Sequence, residues 1–410
     1  MSTTDFDAYK DYLNSYHPGS DEFHQAVGEV FSDIEGFYHD HDKYRKANVL
    51  ERLMEPDRII RFRVCWEDDN QNIHVNRGWR VQFNNVLGAY KGGLRFHPSV
   101  DESVLKFLAF EQCYKNALTG MPMGGGKGGS DFNPKGRSEN EIMRFCHAFM
   151  SELFRHIGPN VDVPAGDINV GAREIGYMYG QYVKITNRWE GVLTGKSPIF
   201  GGSCGRSEAT GYGVVYFLNN MMKKHDDDIA GKKVIISGAG NVAIHAAEKC
   251  LQKDASVLSL SDSKGTLYFK DGLSAEELEE IKRVKLEERG ALSDLSCGEY
   301  KKDHKPWDIE GGDVAIPCAT ENEMDKDGAK ALAKHGVRYI VEGANMPLTH
   351  EAQKVVAAEN IIYGPGKAAN AGGVAVSGLE RSQNAALRSW PLEKVDTNLQ
   401  KIMSDIHEKC

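Results

Sequence analysis

Three lysines stand in settings unusual for the residue, two among glycines and one on a partly apolar helix face. Lys91 lies in Tyr90-Lys-Gly-Gly-Leu-Arg95, and Lys127 lies in Met123-Gly-Gly-Gly-Lys-Gly-Gly129. Lys115 follows Gln112 at helical spacing, on a face that also carries Leu105 and Leu108. A lysine normally projects into water, so a solvated surface is the bland reading of each. For Lys115 the apolar neighbours weaken it, and for Lys127 the flanking glycines leave nothing to cover. A phosphate-binding loop of the G-x-x-x-x-G-K-[S/T] type is excluded, because Met121 and Gly128 stand where it requires Gly and Ser or Thr. A cage of ammonium groups fits better. Two of them can hold the carboxylates of a dianionic substrate. A third, crowded by like charge and desolvated, has a lowered pKa and can act as a base near neutral pH. Asp167, in Asp162-Val-Pro-Ala-Gly-Asp167, is the candidate proton relay, on a backbone that its proline and glycine suggest is fixed and irregular.

A second constellation starts at residue 233. Lys233-Val-Ile-Ile-Ser237 reads as a buried strand, followed by Gly238-Ala-Gly240-Asn241-Val242-Ala243 and a helix to about residue 252. The first glycine permits the tight turn, the second lets a pyrophosphate approach the backbone, and the small third residue packs helix on sheet. Asp262 follows about 24 residues after Gly238, at the end of the next strand. The set reads as a dinucleotide site rather than a bare turn. Later strands end in Cys318-Ala319-Thr320, Gly343-Ala-Asn345 and Gly364 to Asn370, small polar tips that suit ribose and carboxamide contacts. Asp262 could accept from a ribose 2′-OH, as NAD requires. Ser263 and Lys264 could instead hold the 2′-phosphate of NADP, and the residues by themselves leave both open.

Several elements must position these groups. Residues 1 to about 55 read as polar, acidic helices. Residues 59–64 and 74–81 alternate around an Asp/Asn turn, which predicts an antiparallel pair. Ser99-Val-Asp-Glu102 predicts a capping box opening a helix that stops before Gly120, and Ser138-Glu-Asn-Glu141 predicts another. The second helix carries Ile142, Phe145, Phe149, Leu153 and Ile157 on one stripe and stops at Gly158-Pro159; a third carries Ile175, Met178, Tyr179, Tyr182 and Val183. Beyond about residue 205, strands 233–237, 255–260, 313–317, 337–342 and 361–363 alternate with helical patterns, which predicts a parallel α/β sheet. The last segment, from Val395, is an amphipathic helix with Leu399, Ile402, Met403 and Ile406; the pattern is cut at Cys410 and reads as a shortened C-terminus.

The chain has 410 residues, enough for two or three domains at ~150 residues each. Lys plus Arg is 50 and Asp plus Glu is 59, a net charge of −9 without a basic block, which argues against nucleic acid. No apolar run is long enough to span a membrane. The start, Met-Ser-Thr-Thr-Asp-Phe-Asp, is acidic where a targeting peptide is basic, so a cytoplasmic location is expected. The eight cysteines include no C-x-x-C pair, so no metal site is expected and most read as small core residues of a reducing compartment.

Five motifs together carry a resemblance: Lys91-Gly-Gly-Leu-Arg-Phe96, Met121-Pro-Met-Gly-Gly-Gly-Lys-Gly-Gly129, Asp162 to Asp167, Glu208-Ala-Thr-Gly-Tyr-Gly213 and Asn370-Ala-Gly-Gly-Val-Ala-Val-Ser377. The chain resembles the hexameric glutamate dehydrogenases of the short type, within the Glu/Leu/Phe/Val dehydrogenase superfamily. That resemblance implies an N-terminal α/β domain for substrate binding and oligomerisation over 1–200, a Rossmann-like, doubly wound coenzyme domain over 201–375, an active-site cleft between them, and C-terminal helices over 376–410 returning toward the first. It implies Lys127 as catalytic lysine and Asp167 as its proton-transfer partner. Lys91 and Ser377, with Thr194, would bind the γ-carboxylate of glutamate; Gln112 and Lys115 the α-carboxylate; the Gly166 carbonyl would face the amine. Thr210, Asn241 and Asn370 would contact the coenzyme. The stretch 261–265 is similar to NADP-specific members, which points to NADP ahead of NAD. Partners implied are glutamate, 2-oxoglutarate, ammonium and copies of the chain itself in a hexamer.

Two rivals stand beside this reading. Another amino-acid dehydrogenase, for leucine, phenylalanine or valine, would lack use for the Lys91–Ser377 pair. A non-catalytic dinucleotide-binding assembly protein would bind coenzyme without turnover. Ser207 stands where the family usually has proline, and Asn169 where several relatives have glycine or leucine. His39-Asp-His-Asp42 reads as solvated surface rather than a metal site, residues 16–20 as a turn, and Glu276 to Glu280 as an exposed helix.

Overall fold

The computed structural model describes residues 4–288 and 290–410; the first three residues of the acidic start lie outside them. The chain forms two compact units, residues 1–203 with 377–390, and residues 204–376 with 391–410.

The first unit begins with four helices, α1 (Thr4–Tyr16), α2 (Asp21–Asp40), α3 (Asp42–Lys46) and α4 (Val49–Met54). There follow β1 (Arg58–Glu67), β2 (Ile73–Asn84), β3 (Tyr90–Phe96), α5 (Glu102–Leu118), β4 (Gly125–Ser130), α6 (Glu139–Leu153), β5 (Asp162–Gly166) and α7 (Ala172–Thr186). The five strands lie in the order β1-β2-β4-β3-β5. The expected hairpin is there: β1 and β2 pair antiparallel from Arg58↔Gln82 to Glu67↔Ile73. Its turn is closed by Asp68, whose carboxylate accepts from the Asn70 and Asn72 amides at 2.8 and 2.9 Å.

Helices cover both faces of this sheet. Phe23 and Phe31 of α2 and Leu105 and Phe110 of α5 pack with Trp79, Val81 and Phe83. Phe145 and Phe149 of α6 and Ile175 and Met178 of α7 pack with Val64, Leu94 and Phe96. The capping box at Ser138 and Glu141 closes both ways, at 3.1 and 2.9 Å. The one expected at Ser99 does not form. Asp101 caps α5 instead, accepting from the Val104 amide at 2.9 Å, while Ser99 bonds His97. A carboxylate two residues closer to the first turn is the better acceptor for an orphan amide beside the positive helix end.

Two of these strands do not read as strands from their residue types. The Lys127 segment is no loop but β4, Gly-Gly-Lys-Gly-Gly-Ser, buried throughout, and Asp162–Gly166 is the regular strand β5 rather than irregular backbone. Here glycine serves close packing. A Cβ on Gly92 would lie 1.6 Å from the Gly126 carbonyl oxygen, and one on Gly125 would lie 2.1 Å from Cys113 Sγ of α5.

The second unit contains α8 (Ala209–Lys223), β6 (Lys233–Ile236), α9 (Asn241–Leu251), β7 (Ser256–Asp262), β8 (Gly265–Tyr268), α10 (Ala275–Lys282), β9 (Glu299–Lys302), β10 (Val314–Ile316), α11 (Lys326–Lys334), β11 (Tyr339–Val341), α12 (His350–Ala358), β12 (Ile362–Gly364) and α13 (Gly366–Ala369). The strand order is β12-β11-β10-β6-β7-β8-β9. From β12 to β7 all neighbours are parallel, as alternation with helices requires. The edge strands β8 and β9 add an antiparallel margin that the sequence reading did not foresee.

The boundary between units falls inside α14 (Gly372–Ala385), and α15 (Leu392–Lys409) follows. The segment 376–410, expected to return as one piece to the first domain, divides: residues 377–390 belong to the first unit, and 391–410 to the second. The reason lies in the stripe of α15. It buries Val395, Leu399, Met403 and Ile406, and Tyr216 of α8 donates to Asp396 at 2.7 Å. No helix among the described residues is long and apolar enough to cross a membrane.

Candidate active site

In the first unit, the register of β3, β4 and β5 sets the geometry. Leu94 pairs with Gly128 and Gly93 with Ala165. Lys127 therefore sits beside Gly93, and alternation places Lys91, Gly93, Arg95, Lys127 and the position of Asp167 on one face. Gly93 is needed there: a Cβ would approach Asp167 Cβ and the Gly166 carbonyl oxygen to 2.8 Å.

Lys127 is 6% exposed, and its Nζ lies 3.2 Å from Asp167 Oδ1. Burial pulls the Lys127 ammonium below the usual lysine range; Asp167 opposes this, and the charges of Arg95 and Arg80 add to it. Burial would push the Asp167 carboxyl up, but the charges of Lys127 and Arg95 outweigh it and hold it at about 2. Arg95 donates Nε to Asp167 Oδ2 at 2.7 Å. A lysine easily discharged beside a carboxylate held ionised is a base with a proton partner. Arg95 is a residue that sequence reasoning missed. Its only signal was its place two residues after Gly93, on the face that carries Lys91.

Lys91 is 2% exposed and donates to Thr194 Oγ1 at 2.7 Å; that oxygen lies 2.5 Å from Ser377 Oγ. One ammonium and two hydroxyls thus meet in a buried cluster, with Thr194 and Ser377 at 0% and 3% exposure. Such a donor set suits a carboxylate. Gln112 of α5 donates to Asn116 at 2.7 Å, and Asn116 donates to the Lys91 carbonyl at 3.0 Å, which ties α5 to β3. Lys115, partly buried, lies one helical turn beyond Gln112. Gly166 ends β5, where the Thr194 amide donates to the neighbouring Pro164 carbonyl at 3.0 Å. Two buried ion pairs were also not anticipated. Arg80 binds Asp162 with Nε to Oδ2 at 2.8 Å, and Lys196 binds Glu380 at 2.8 Å. Arg80 and Asp162 are 82 positions apart, Lys196 and Glu380 184, so no local pattern joins either pair.

In the second unit a cavity of about 800 Å³ is walled by Gly238, Gly240, Asp262, Ser263, Lys264, Ala319 and Thr320, with Lys285, His304, Lys305 and Glu323 beside them. Gly238 takes φ +84°, which only glycine adopts cheaply, and a Cβ there would lie 3.0 Å from the Cys318 carbonyl oxygen. Gly240 caps α9, yet a Cβ on it would meet nothing within the chain. The open space stands at a helix N-terminus, the place for a pyrophosphate. The residues fit a dinucleotide. Asp262 already accepts from the Lys264 amide at 2.9 Å, the Leu292 amide at 3.1 Å and the Tyr300 hydroxyl at 3.3 Å. It shapes the turn that leaves Ser263 and Lys264 exposed.

Five expected coenzyme residues stand outside that wall. Asn241 donates to the Ser207 carbonyl, and Val242 follows it in the first turn of α9. Asn370 donates to Asn345 Oδ1 at 2.9 Å and to the Ala344 carbonyl at 3.1 Å. Thr210 lies against Gly373, where a Cβ would come within 2.6 Å of its hydroxyl. Among the described residues no group of histidines, cysteines and carboxylates could hold a metal ion.

Comparison with known proteins gives a consistent answer. Residues 201–410 match the family described as Glutamate/Leucine/Phenylalanine/Valine dehydrogenase, and residues 56–184 match the Glu/Leu/Phe/Val dehydrogenase, dimerisation domain. An NADP-specific glutamate dehydrogenase of Psychrobacter sp. (strain TAD1) is 56% identical over 390 residues, covering 94% of this chain and 87% of the relative. One of Escherichia coli (strain K12) is 50% identical over 411 residues, covering 100% and 92%. The crystal structure of Plasmodium falciparum glutamate dehydrogenase superimposes with a TM-score of 0.95 at 50% identity, covering 98% of this chain and 86% of that one. With both of its units matched, one built on a lysine-bearing glycine-rich sheet and the other on a dinucleotide turn, the chain belongs to the Glu/Leu/Phe/Val dehydrogenase family.

Proposed function

We propose that this chain catalyses the reversible, NADP-dependent oxidative deamination of L-glutamate to 2-oxoglutarate and ammonia. The observation that carries the choice of substrate is the buried Lys91–Thr194–Ser377 cluster. An aliphatic or aromatic side chain would offer this ammonium and its two hydroxyls no acceptor; a γ-carboxylate can accept from all three. That disfavours leucine, phenylalanine or valine. The Lys127–Asp167 contact, with its shifted lysine, favours an enzyme over a non-catalytic assembly protein.

The roles follow from the chemistry of each group. Lys91, Thr194 and Ser377 grip the γ-carboxylate, Gln112 and Lys115 the α-carboxylate, and the Gly166 carbonyl accepts from the amine. Asp167 takes a proton from the ammonium group, so that the nitrogen lone pair can form the C=N bond as the α-hydrogen leaves with its electron pair. Bound NADP supplies the hydride acceptor. Uncharged Lys127 then removes a proton from the water that adds to the iminium carbon; Asp167 returns its proton to the nitrogen and takes the hydroxyl proton as the adduct collapses to the ketone and releases ammonia. In the second unit Gly238 and Gly240 would admit the pyrophosphate, with Ala319, Thr320, Asn345 and Asn370 toward the ribose and carboxamide. Lys264 and Ser263 would meet the 2′-phosphate. NADP is favoured because Asp262 already bonds three protein donors and because the relatives above are named NADP-specific. A homo-oligomer is supported by the matched dimerisation domain, and we take it to be a hexamer working in the cytoplasm.

Mixing the protein with 2-oxoglutarate, ammonium and either NADPH or NADH tests this directly. Loss of reduced-nicotinamide absorbance is expected, faster with NADPH. Replacing Lys91 with leucine should lower kcat/KM for glutamate by about 100-fold, the worth of a lost charged hydrogen bond of ~3 kcal/mol, while use of norvaline improves. No turnover of glutamate by the parent protein would overturn the reading.

A further inference from the structure

Thr194 and Ser377 stand 183 positions apart in the chain, yet their hydroxyl oxygens lie 2.5 Å from each other. Something must clamp the Thr194 loop to α14. Glu380 lies one helical turn beyond Ser377, and its carboxylate accepts from the Gly195 amide at 2.9 Å and from Lys196 Nζ at 2.8 Å. Lys196 Nζ also donates to the Leu193 carbonyl and to Asn384 Oδ1, the latter at 3.0 Å and one further turn along α14. The residues on either side of Thr194 are thus tied to the helix that presents Ser377. Side chains of Lys196 and Glu380 are 1% and 0% exposed. A buried ion pair gives little net stability over apolar residues of the same size, because desolvation offsets the attraction. What this pair does supply is a fixed spacing. The loop also fits tightly around it: a Cβ on Gly191 would lie 2.6 Å from Asn384 Cβ, and one on Gly202 would lie 1.9 Å from the Lys196 carbonyl oxygen.

We propose that Lys196 and Glu380 are positioning residues for side-chain specificity: they hold Thr194 and Ser377 at the separation that completes the carboxylate grip of Lys91. This rests on the glutamate reading above and names what sets its selectivity. Neither residue touches the substrate. Their loss should therefore raise KM for glutamate and spare an amino acid of equal length without the second carboxylate.

The test uses the whole chain with two variants, Lys196→Met/Glu380→Met, which keeps the volume apolar, and Glu380→Gln, which keeps an acceptor for the Gly195 amide. Folding is followed by thermal melts, and kinetics are measured with glutamate and, at high enzyme concentration, with norvaline. The double variant should fold, keep kcat within about twofold, and show KM for glutamate raised about tenfold, as for one weakened charged hydrogen bond. KM for norvaline should stay unchanged, so the preference for glutamate falls by the same factor. A folded double variant with parental KM for glutamate, or with equal losses on both substrates, overturns the inference. So does failure of both variants to fold, since the pair would then serve stability alone. A parent protein that oxidises neither substrate overturns the functional reading and the inference with it; an active parent isolates the inference.

Discussion

The first sheet and the cap of α9 in the second unit use glycine for opposite purposes. In the first unit β3 and β4 contain Lys91-Gly-Gly-Leu and Gly-Gly-Lys127-Gly-Gly, and most of these glycines face atoms of the same chain. A Cβ on Gly92, Gly125 or Gly129 would intrude to between 1.6 and 2.2 Å. Emptied of side chains, the strands draw the backbone and α5 close, and the lysines among them are left in a dry site. In the second unit the strands are Lys-Val-Ile-Ile and Val-Ala-Ile, ordinary buried strands, and the glycines sit at their ends. Gly240 faces open space, so its missing side chain does no packing. The lesson is that glycine content alone does not announce a phosphate loop. What a Cβ would meet separates a packed strand from a ligand cradle.

The comparison can be broken most sharply at its chemical centre. Lys127→Ala should reduce turnover by about 10²- to 10⁴-fold, the range for a lost general base, yet leave NADPH binding to the second unit intact in a fluorescence titration. Normal turnover would remove Lys127 from its role. Next in size is the packing contrast. Gly92→Ala forces a methyl onto a backbone carbonyl and should cost about 3 kcal/mol, seen as a lowered Tm. Gly240→Ala, at φ −88° with empty space ahead of it, should melt like the parent but bind NADPH about tenfold more weakly, since the methyl occupies the approach of the pyrophosphate. Equal melting of both variants would mean that the two glycines do not differ in packing.

The smallest expected effect sharpens the electrostatics. Lys127 must be uncharged to take a proton, so deamination should rise with pH through its lowered pKa, below the normal lysine range. Arg95 pushes that pKa down, so Arg95→Leu should move the limb to higher pH, by up to about one unit. A limb that stays in place, in a variant that still turns over, would mean that Arg95 does not tune the lysine.

These contrasts also explain what could be read in advance. The strands of the second unit were legible because Val234, Ile235 and Ile236, then Ile340 and Val341, are short buried runs bounded by turn residues. The edge strands Gly265–Tyr268 and Glu299–Lys302 were not, being only four residues each and paired antiparallel at the margin of the sheet. In the first unit α6 and its cap were legible from a stripe and a box, whereas β4, glycine throughout apart from Lys127 and Ser130, carries no period that a strand rule can detect. The α5 cap failed at Ser99 because two acceptors competed within three residues, and the charged one won.

By itself, the sequence determined the chemical inventory: three lysines in glycine-rich or helical settings, one aspartate after a proline-alanine-glycine run, and a glycine turn between a strand and a helix. These are local, so spacing and residue type suffice. Only the tertiary structure decided that Lys91, Thr194 and Ser377 share one cluster, that Arg95 and Lys127 grip opposite oxygens of Asp167, and that Glu380 ties the Thr194 loop to α14. Those partners are joined across 40 to 185 positions. Their meeting depends on strand register and on the space that missing side chains leave, which no local pattern encodes.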